Sequence, residues 1–353
     1  MDSIKCHLIT LEKHGGIKKT KRLDAGSESV KYMLTAHDGS KYLLKIYSYN
    51  NERNVQLNAE INRRILENGI HTPLILEVGK TDVDLLPYEL LEWIPGTSVD
   101  ILLLGNAPSE EKYKRGIAAG KYLKRIHELD YHAVCEPKHM LLNKRIKYIL
   151  EKYVELEIAG QYTYRGSIFR DYILGTPYCD TESKHCLLHG DFHIGNIIEG
   201  STGDIWIIDW VYNLIGNPIE DFVRIFVSAE KSSEFAKGQI DGYFGGHPSE
   251  GFWESLKMLV AIQQLEILLL PLGKLSDGRD VCEHQHEIIF EQYKGMESII
   301  PKSFFTDRDT ILTDGKVVFV FDFDTTFFIQ INERRDVFLF TVLVDRHCIM
   351  GRI

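Results

Sequence analysis

The sequence predicts an α+β fold with two lobes, a small β-rich N-lobe that carries one helix and a larger helical C-lobe. Strand-like apolar patterns dominate residues 1–95, whereas apolar residues at helical spacing dominate residues 96–303. The length of 353 residues is also that of about two domains. Residues 304–353 return to aromatic and β-branched strand formers, so we expect a β-prone C-terminal extension of unknown role.

The first clear element is a β-hairpin. The segment SVKYMLTA alternates between apolar and polar residues, Asp38-Gly39 is a strong signal for a two-residue turn, and KYLLKIY follows as a second strand. In that second strand Leu44 and Ile46 share one face of the sheet. The pattern therefore predicts that Lys45 projects from the opposite face.

The single helix of the N-lobe follows the hairpin. Leu57, Ile61 and Ile65 recur at four-residue spacing, and Gly69 is a typical C-terminal stop. Two strand-like runs come next, PLILEVG and YELLEWI, and the dipeptide Pro95-Gly96 ends the second. The N-lobe is thus expected to be a small sheet with one helix.

The C-lobe begins with helical patterns. SEEKYKRGIAAGKYLKRIHEL and NKRIKYILEKYVELEIA both carry apolar residues at helical spacing, and residues 219–300 are mostly helical in pattern. Between these stretches lie the short apolar run CLLHGD, a polar loop, and a short strand, DIWIID. We expect a helical lobe that supports one loop-rich segment near its centre.

Composition excludes several classes of protein. The chain holds 41 Lys and Arg against 51 Asp and Glu, a formal net charge of −10, with no long basic run, which disfavours nucleic acid as a partner. Its six cysteines form no CxxC pair and are typical of reduced cytoplasmic thiols. The N-terminus lacks the apolar core of a signal peptide, and the most apolar run contains Gln263, Gln264 and Glu266, so we expect a cytoplasmic protein without a membrane partner.

The strongest chemical signal is the loop HGDFHIGN, residues 189–196. Asp191 and Asn196 lie five residues apart, and Asp209 follows at the end of the apolar run IWII. Phosphoryl transfer needs oxygen ligands for a hard cation and a separate carboxylate that accepts the proton of the attacking hydroxyl. The spacing H-x-D-x-x-x-x-N is that of the kinase catalytic loop, and the alternative is a polar surface turn. No G-x-x-x-x-G-K-[ST] pattern occurs, so the chain is not a P-loop kinase.

The segments LLHGDFHIGNII, IWIIDW and GNPIEDF resemble the aminoglycoside phosphotransferase family, small-molecule kinases with a protein-kinase-like fold. The resemblance extends over roughly residues 20 to 300. It implies that Asp191 is the catalytic base and that Asn196 and Asp209 hold Mg²⁺. It also implies that Asp221 and His189 support the catalytic loop.

Two residues depart from the family pattern. Ile194 stands where the family often has proline, which should change only the stiffness of the loop. Asn217 replaces a frequent aspartate in the segment GNP, so a tethering role at this position is not implied.

The same resemblance implies a site for ATP or GTP as phosphate donor. Lys45 resembles the strand lysine that binds the α- and β-phosphates, and Glu60, at the edge of the apolar stripe of the predicted helix, would be its acidic partner. Backbone groups or Ser27 in the segment DAGSES would touch phosphate. The nucleotide base would dock on the backbone of the connector that includes Glu92 and Ile94.

The acceptor is a hydroxyl group on a small molecule. A cationic aminoglycoside would suit the acidic C-lobe, whose candidate acids are Asp171, Asp180, Glu182, Glu230, Glu234 and Asp241, although each could equally be a solvating surface acid. Choline, homoserine, methylthioribose and fructosamine kinases share the resemblance and remain alternatives. So do a nucleotide-binding pseudokinase that acts as an interaction module, and a protein kinase. A protein kinase is disfavoured because IDW runs almost directly into GNPIEDF, without a DFG and APE-bounded activation segment.

Two other patterns are interpreted as coincidental. Cys186, His189 and His193, with His185 nearby, match no standard zinc spacing. The segment FVFDFDTT resembles the first motif of haloacid-dehalogenase-like phosphatases, but the chain beyond it is too short for the parallel sheet of that fold. We expect an added strand pair or a poorly packed extension at this position.

Overall fold

The computed structural model describes most of the chain. The described residues are 16–23, 29–47, 55–81, 85–103, 107–130, 132, 142–160, 164–176, 185–212, 214–269, 278–304, 311–313, 316–320, 326–330, 339–344 and 347–352. The segment around Ser27, together with Asp180 and Glu182, lies outside the described residues. The structure therefore gives no outcome for those predicted positions.

The N-lobe is built on one antiparallel sheet of five strands. In space the strands lie in the order β1-β2-β3-β5-β4. Their bounds are Ile17–Leu23 (β1), Ser29–Ala36 (β2), Lys41–Tyr47 (β3), Ile75–Lys80 (β4) and Pro87–Glu92 (β5). Alternation along β3 places Leu44 in an apolar cluster with Leu34, Tyr88 and Leu90, and leaves Lys45 on the other face.

The turn between β2 and β3 is one residue longer than the sequence predicted. Three residues, His37–Gly39, lie between Ala36 and Ser40, and the Ala36 amide donates to the Ser40 carbonyl over 2.8 Å. Gly39 has a φ of 90°, which suits the last residue of a three-residue hairpin loop. The prediction of a two-residue Asp38-Gly39 turn was wrong. The extra residue shifts the register so that Lys31 on β2 pairs directly with Lys45 on β3.

Helix α1 (Val55–Glu67) packs against β4 and β5. The predicted apolar stripe is present, but two asparagines belong to it. The buried residues of this helix are Val55, Asn58, Ile61, Asn62 and Ile65. Glu60 is outside this set and exposed, because it projects from the helix on the side away from the sheet.

The C-lobe is helical, as the sequence predicted. Its helices are α2 (Val99–Leu103), α3 (Ser109–His127), α4 (Leu142–Ile158), α5 (Tyr164–Gly175), α6 (Ile225–Lys231), α7 (Ser233–Phe244), α8 (Glu250–Leu269) and α9 (Gly278–Gln292). Short strands lie between α5 and α6, apart from the first, which precedes α2. They are β6 (Gly96–Ser98), β7 (Cys186–Leu187), β8 (Ile197–Gly200), β9 (Ile205–Ile207) and β10 (Ile215–Gly216).

Helices α3 and α7 approach each other unusually closely. Each carries two glycines four residues apart, Gly116 and Gly120 on α3 and Gly238 and Gly242 on α7. A Cβ atom at Gly116 or Gly120 would lie 2.1 Å from a backbone oxygen of α7, and one at Gly238 or Gly242 would lie 2.2 Å from a backbone oxygen of α3. Only glycine permits this contact, because a Cβ atom at any of these positions would force the two helix backbones apart.

The chain divides into two compact units, Met1–His286 and Glu287–Ile353, so that the predicted boundary at residue 303 falls inside the second. The C-terminal strands of the second unit are antiparallel. They form a three-stranded sheet of β11 (Ile311–Thr313), β12 (Lys316–Val320) and β13 (Thr326–Gln330), and a hairpin of β14 (Leu339–Val344) and β15 (His347–Arg352). The strand formers of this region therefore lie in five short strands among the described residues. No helix in the described part of the chain is both long and apolar enough to cross a membrane.

Candidate active site

The predicted catalytic loop, residues 189–196, is fixed by buried hydrogen bonds. The backbone amides of His189 and Gly190 donate to the two carboxylate oxygens of Asp221 over 2.8 and 2.7 Å. Nε2 of His127 lies 3.0 Å from the same carboxylate. Burial alone would raise the pKa of Asp221, but the hydrogen bond with His127 and the nearby histidines bring it below its ordinary value. Asp221 therefore stays ionised and holds the start of the loop.

His189 holds the loop to the strand that follows. Its buried ring lies 3.0 Å from the Ile208 carbonyl through Nε2, and its Nδ1 accepts from the Asp191 amide over 3.1 Å. Burial lowers the pKa of His189 and outweighs the attraction of Asp221. A neutral ring that donates from Nε2 and accepts at Nδ1 fits both contacts.

The two departures from the family pattern have local explanations. The Ile194 amide donates to Oγ of buried Ser228 over 3.0 Å, a bond that proline could not make. Oδ1 of Asn217 accepts from the Ile219 amide over 2.9 Å, and the Glu220 side chain accepts from the Asn217 amide. Asn217 thus caps the short helix that carries Asp221, which is a tethering role that the sequence did not indicate.

Both carboxylate oxygens of Asp191 lie close to neighbouring side chains. Its Oδ2 accepts from Nδ2 of Asn196 over 3.1 Å. Its Oδ1 is buried and accepts no hydrogen bond in the described part of the chain, although Nε of Arg224 lies 2.9 Å away outside hydrogen-bond geometry. Burial raises the pKa of Asp191, but His193 and Arg224 together lower it below the ordinary value. The result is an ionised carboxylate at the wall of a cavity.

Asp209 lies where two lysines converge. Its Oδ1 is 2.5 Å from Nζ of Lys45, and its Oδ2 is 2.8 Å from Nζ of Lys31. Burial opposes ionisation, but the two lysines hold the pKa of Asp209 far below its usual range. Its φ of 61° is rare for a residue other than glycine and is typical of functional sites. Sequence reasoning missed Lys31, because the assumed two-residue turn gives the wrong register.

The predicted pairing of Lys45 with Glu60 is not present. Glu60 is exposed and forms an ion pair with Arg64 one helical turn away. Lys45 instead contacts Asp209. The α1 position that faces the sheet holds Asn58, whose Nδ2 donates to Glu89 over 2.7 Å. The pairing is absent because the helix turns position 58, two residues before Glu60, toward the sheet.

A cavity of about 460 Å³ brings the other described residues of the predicted site together. It contains Lys45, Glu92, Ile94, Asp191, Asn196 and Asp209 among its lining residues. Lys31 and His193 line it as well, with apolar walls from side chains such as Leu43, Leu91 and Ile198. The Ile94 amide donates to no group in the described residues, whereas the Glu92 amide donates to the Leu74 carbonyl.

The donor set at this cavity fits a hard cation. Nδ2 of Asn196 bonds to Asp191, so its amide oxygen is turned away from that carboxylate, and Asp209 supplies an ionised carboxylate. Oxygen atoms of this kind are the ligands that Mg²⁺ prefers. Among the described residues no cluster of three His, Cys, Asp or Glu could hold a metal ion. Cys186 of the coincidental zinc pattern is buried, and burial raises the pKa of its thiol.

A second cavity of about 310 Å³ lies beside the catalytic loop. Gly190, Arg145 and Glu220 are among its lining residues. Arg145 bonds to both oxygens of Glu266 over 2.6 and 2.7 Å and to Glu220 over 2.8 Å. Among the described acids that the sequence offered for a cationic acceptor, none lines either cavity; they are Asp171, Glu230, Glu234 and Asp241. Asp171 is paired with Arg170, and Asp241 accepts from Tyr113.

Comparison with known proteins agrees with this geometry. Residues 19–253 match the model of the phosphotransferase enzyme family, APH. No curated protein matches the chain significantly in sequence. The wild-type aminoglycoside 2'-phosphotransferase-IIIa in its GDP complex has a TM-score of 0.58 at 15% identity, with 77% of this chain and 93% of that chain covered.

Two other solved structures share the fold at similar identity. A choline/ethanolamine kinase family protein from Mesorhizobium loti has a TM-score of 0.53 at 16% identity, with 80% of this chain and 91% of that chain covered. Amicoumacin kinase hAmiN, in complex with AMP-PNP, Ca²⁺ and Ami, has a TM-score of 0.55 at 16% identity, with 82% and 94% covered. The family match covers more than half of the chain, which therefore belongs to the phosphotransferase enzyme family and has its two-lobed, protein-kinase-like α+β fold.

Proposed function

We propose that the chain is a kinase that transfers the γ-phosphate of a Mg²⁺-bound nucleoside triphosphate to a hydroxyl of a small molecule. The single observation that carries this proposal is the position of the Asp191 carboxylate, which is ion-paired with Arg224 and lines a cavity that Asn196, Asp209, Lys31 and Lys45 also line. A carboxylate base, oxygen ligands for a hard cation and cations that bind phosphate are the groups that phosphoryl transfer needs.

Each residue has a defined task in the transfer. The Asp191 carboxylate accepts the hydroxyl proton as the new O–P bond forms, while the bond from the γ-phosphorus to the bridging oxygen breaks and the nucleoside diphosphate leaves. Asn196 and Asp209 would hold Mg²⁺ through their side-chain oxygen atoms, and the cation would supply positive charge that neutralises the phosphate oxygens. Lys31 and Lys45 bind phosphate oxygens from the sheet side, since two like charges placed directly opposite each other favour an anion between them.

The donor is ATP or GTP. The Ile94 amide has no acceptor among the described residues and would donate to an acceptor atom of the base. Of the similar structures, one is a complex with the guanine nucleotide GDP and another is a complex with the adenine nucleotide analogue AMP-PNP. Titration with both nucleotides in the presence of Mg²⁺ decides between them.

For the acceptor we propose an amino sugar of the aminoglycoside type. The ionic cluster beside the second cavity, Arg145 with Glu220 and Glu266, carries one positive and two negative charges and so favours a cationic group. A metabolite of the choline, homoserine, methylthioribose or fructosamine kind is the alternative. A pseudokinase that binds nucleotide without turnover is the third reading, disfavoured by the full set of Asp191, Asn196 and Asp209.

The test is a screen of hydroxylated amines and sugars for acceptor-dependent release of ADP or GDP. We expect release with at least one aminoglycoside and none without Mg²⁺. Release with a metabolite alone would reassign the acceptor within the same reaction class. Nucleotide binding without any acceptor-dependent release across the panel would favour the pseudokinase reading.

A further inference from the structure

Glu89 on β5 is a buried acid that has no part in the chemistry described so far. Its side chain is 1% exposed and accepts hydrogen bonds from Oη of Tyr47 over 2.6 Å and from Nδ2 of Asn58 over 2.7 Å. Within the described residues it forms no ion pair, since none of its oxygens lies within 4.0 Å of a cationic nitrogen. A buried carboxylate without a cation is costly to maintain, so its presence calls for a function.

The sheet places Glu89 directly beside Lys45. The two residues are opposite partners in the antiparallel pairing of β3 with β5. Opposite residues in such a pair project from the same face, with Cβ atoms about 4.5–5.5 Å apart. The ammonium group of Lys45 can therefore reach the Glu89 carboxylate by rotation of its own side chain, without a backbone movement.

Helix α1 offers no anion at this point. Asn58, the residue that faces the sheet beside Glu89, is neutral, and the exposed Glu60 is held by Arg64. In the present structure Lys45 is bound by Asp209 instead, at 2.5 Å. When Asp209 serves as a metal ligand it shares its charge with the cation, and Lys45 then needs a second anion to keep its position.

We propose that Glu89 is the positioning residue for Lys45. Its carboxylate holds the ammonium group from the sheet side while the nucleotide phosphates bind the same group from the cleft side. The acid that orients the nucleotide-binding lysine thus comes from a neighbouring strand, and the helix contributes only the amide of Asn58. This inference rests on the proposed nucleotide-binding role of Lys45.

The test is calorimetric titration with Mg-ATP and Mg-GTP of the wild type, Glu89→Gln and Lys45→Ala. We expect Glu89→Gln to raise the dissociation constant of the tighter nucleotide about tenfold, the factor for one charge-assisted contact. Glu77→Gln is the matched control, because Glu77 also lies in this sheet and also accepts from a tyrosine, Tyr88, at 2.6 Å. It should bind nucleotide as the wild type does.

A second variant separates positioning from a structural role. Exchanging the acid and the amide in Asn58→Glu/Glu89→Gln returns a carboxylate to the neighbourhood of Lys45, and we expect it to restore most of the lost affinity. The thermal midpoint of Glu89→Gln should equal or exceed that of the wild type, since the variant removes a buried charge. The proposal would be overturned if Glu89→Gln lost nucleotide affinity and had a lowered thermal midpoint, and if the exchange variant did not restore the affinity.

The failures are distinguishable. If Lys45→Ala binds nucleotide as the wild type does, the proposed role of Lys45 is wrong and the inference falls with it. If Lys45→Ala loses affinity while Glu89→Gln does not, or if Glu60→Gln alone causes the loss, only the assignment of Glu89 is wrong. If Glu89→Gln fails to fold, Glu89→Asp is used instead, because its shorter side chain moves the carboxylate away from Lys45 by one methylene. Unchanged nucleotide affinity in that variant would overturn the proposal.

Discussion

The charged residues of the cleft owe their ionisation states to their immediate neighbours. Asp191 and Asp209 are both buried enough for desolvation to oppose their charge, yet neighbouring groups lower the pKa of each below the ordinary value. The groups differ: a hydrogen bond from His193 and the charge of Arg224 act on Asp191, whereas Lys45 and Lys31 act on Asp209. Its lowered pKa makes Asp191 a weaker base. A weak base still suits phosphoryl transfer, because a loose transition state needs little help from proton removal.

Asp191→Asn should lower kcat by about 10²–10⁴, the usual range for general-base catalysis, while nucleotide affinity changes little. The asparagine keeps the size of the side chain but cannot accept a proton. Steady-state kinetics with an acceptor found by the screen measures the first effect, and calorimetric titration measures the second. Near-normal turnover in this variant would show that Asp191 is not the base.

Asp209→Asn should instead weaken Mg-nucleotide binding together with turnover, because the metal ligand loses its charge. Asp204→Asn is a suitable control, since Asp204 lies just before strand β9 and its side chain accepts hydrogen bonds from Thr202 and Trp206. Titration with Mg²⁺-nucleotide should separate the two variants. Equal affinity in Asp209→Asn and the wild type would contradict the ligand assignment.

At the scale of elements, the catalytic loop depends on a short helix that comes later in the chain. Residues Pro218–Phe222 are capped by Asn217 and carry Asp221, whose carboxylate accepts both amides at the start of the loop. His127 at the end of α3 completes this connection. Three separate segments therefore meet at the buried carboxylate of Asp221. Its removal should destabilise the packing of all three.

We predict that Asp221→Asn lowers the free energy of unfolding by about 3–5 kcal/mol at pH 7, the range for breaking a buried charged contact. The pKa of Asp221 is lower in the folded chain than its ordinary value of 3.8. Its stabilising contribution is thus present above that value and is lost as the pH falls through the folded pKa. Denaturant unfolding should show that the difference in the free energy of unfolding between wild type and variant becomes smaller below about pH 4. A difference that does not change with pH would contradict the ionised state of Asp221.

Gly120→Ala should destabilise the contact between α3 and α7 by about 3 kcal/mol or more, because the new Cβ atom overlaps a backbone oxygen of α7. Gly251→Ala on α8 is the matched control. A Cβ atom there would contact only Oγ of Ser249, at 4.0 Å, so alanine should be neutral or stabilise the helix by up to about 1 kcal/mol. Unfolding curves that rank the two variants in the opposite order would refute the close approach.

At the scale of the whole molecule, the sequence predicted the helical C-lobe and the loop residues, because motif spacing and apolar periodicity are local properties. It did not predict which acid lies near Lys45. A helix turns by about 100° per residue, so Asn58 and Glu60 lie about 200° apart on nearly opposite faces. The prediction placed the acidic Glu60 at the edge of the apolar stripe, whereas the buried position holds the neutral Asn58. A better signal was Glu89, an acid inside the strand YELLE that is otherwise buried.

Long-range register was the second limit. The pairing of Lys31 with Lys45 depends on one extra residue in the turn at His37–Gly39, and both turn lengths agree with the sequence. The meeting of Lys31 with Asp209 joins residues 178 positions apart, so no local pattern could indicate it. The sequence did not indicate Arg224 or His127 for the same reason, since each contacts a residue distant in the chain. Arg224 contacts Asp191, and His127 contacts Asp221.

The last prediction concerns the C-terminal extension. All described candidate site residues lie in the first compact unit, Met1–His286, and the strands after residue 304 belong to the second. Truncation after Ser303 should therefore leave Mg-nucleotide affinity and turnover nearly intact. Both are measured on the purified shortened chain beside the full chain, with circular dichroism as the control for folding. A shortened chain that remains folded and soluble but loses all turnover would show that residues 304–353 complete the site. One that no longer folds would show that they complete the core.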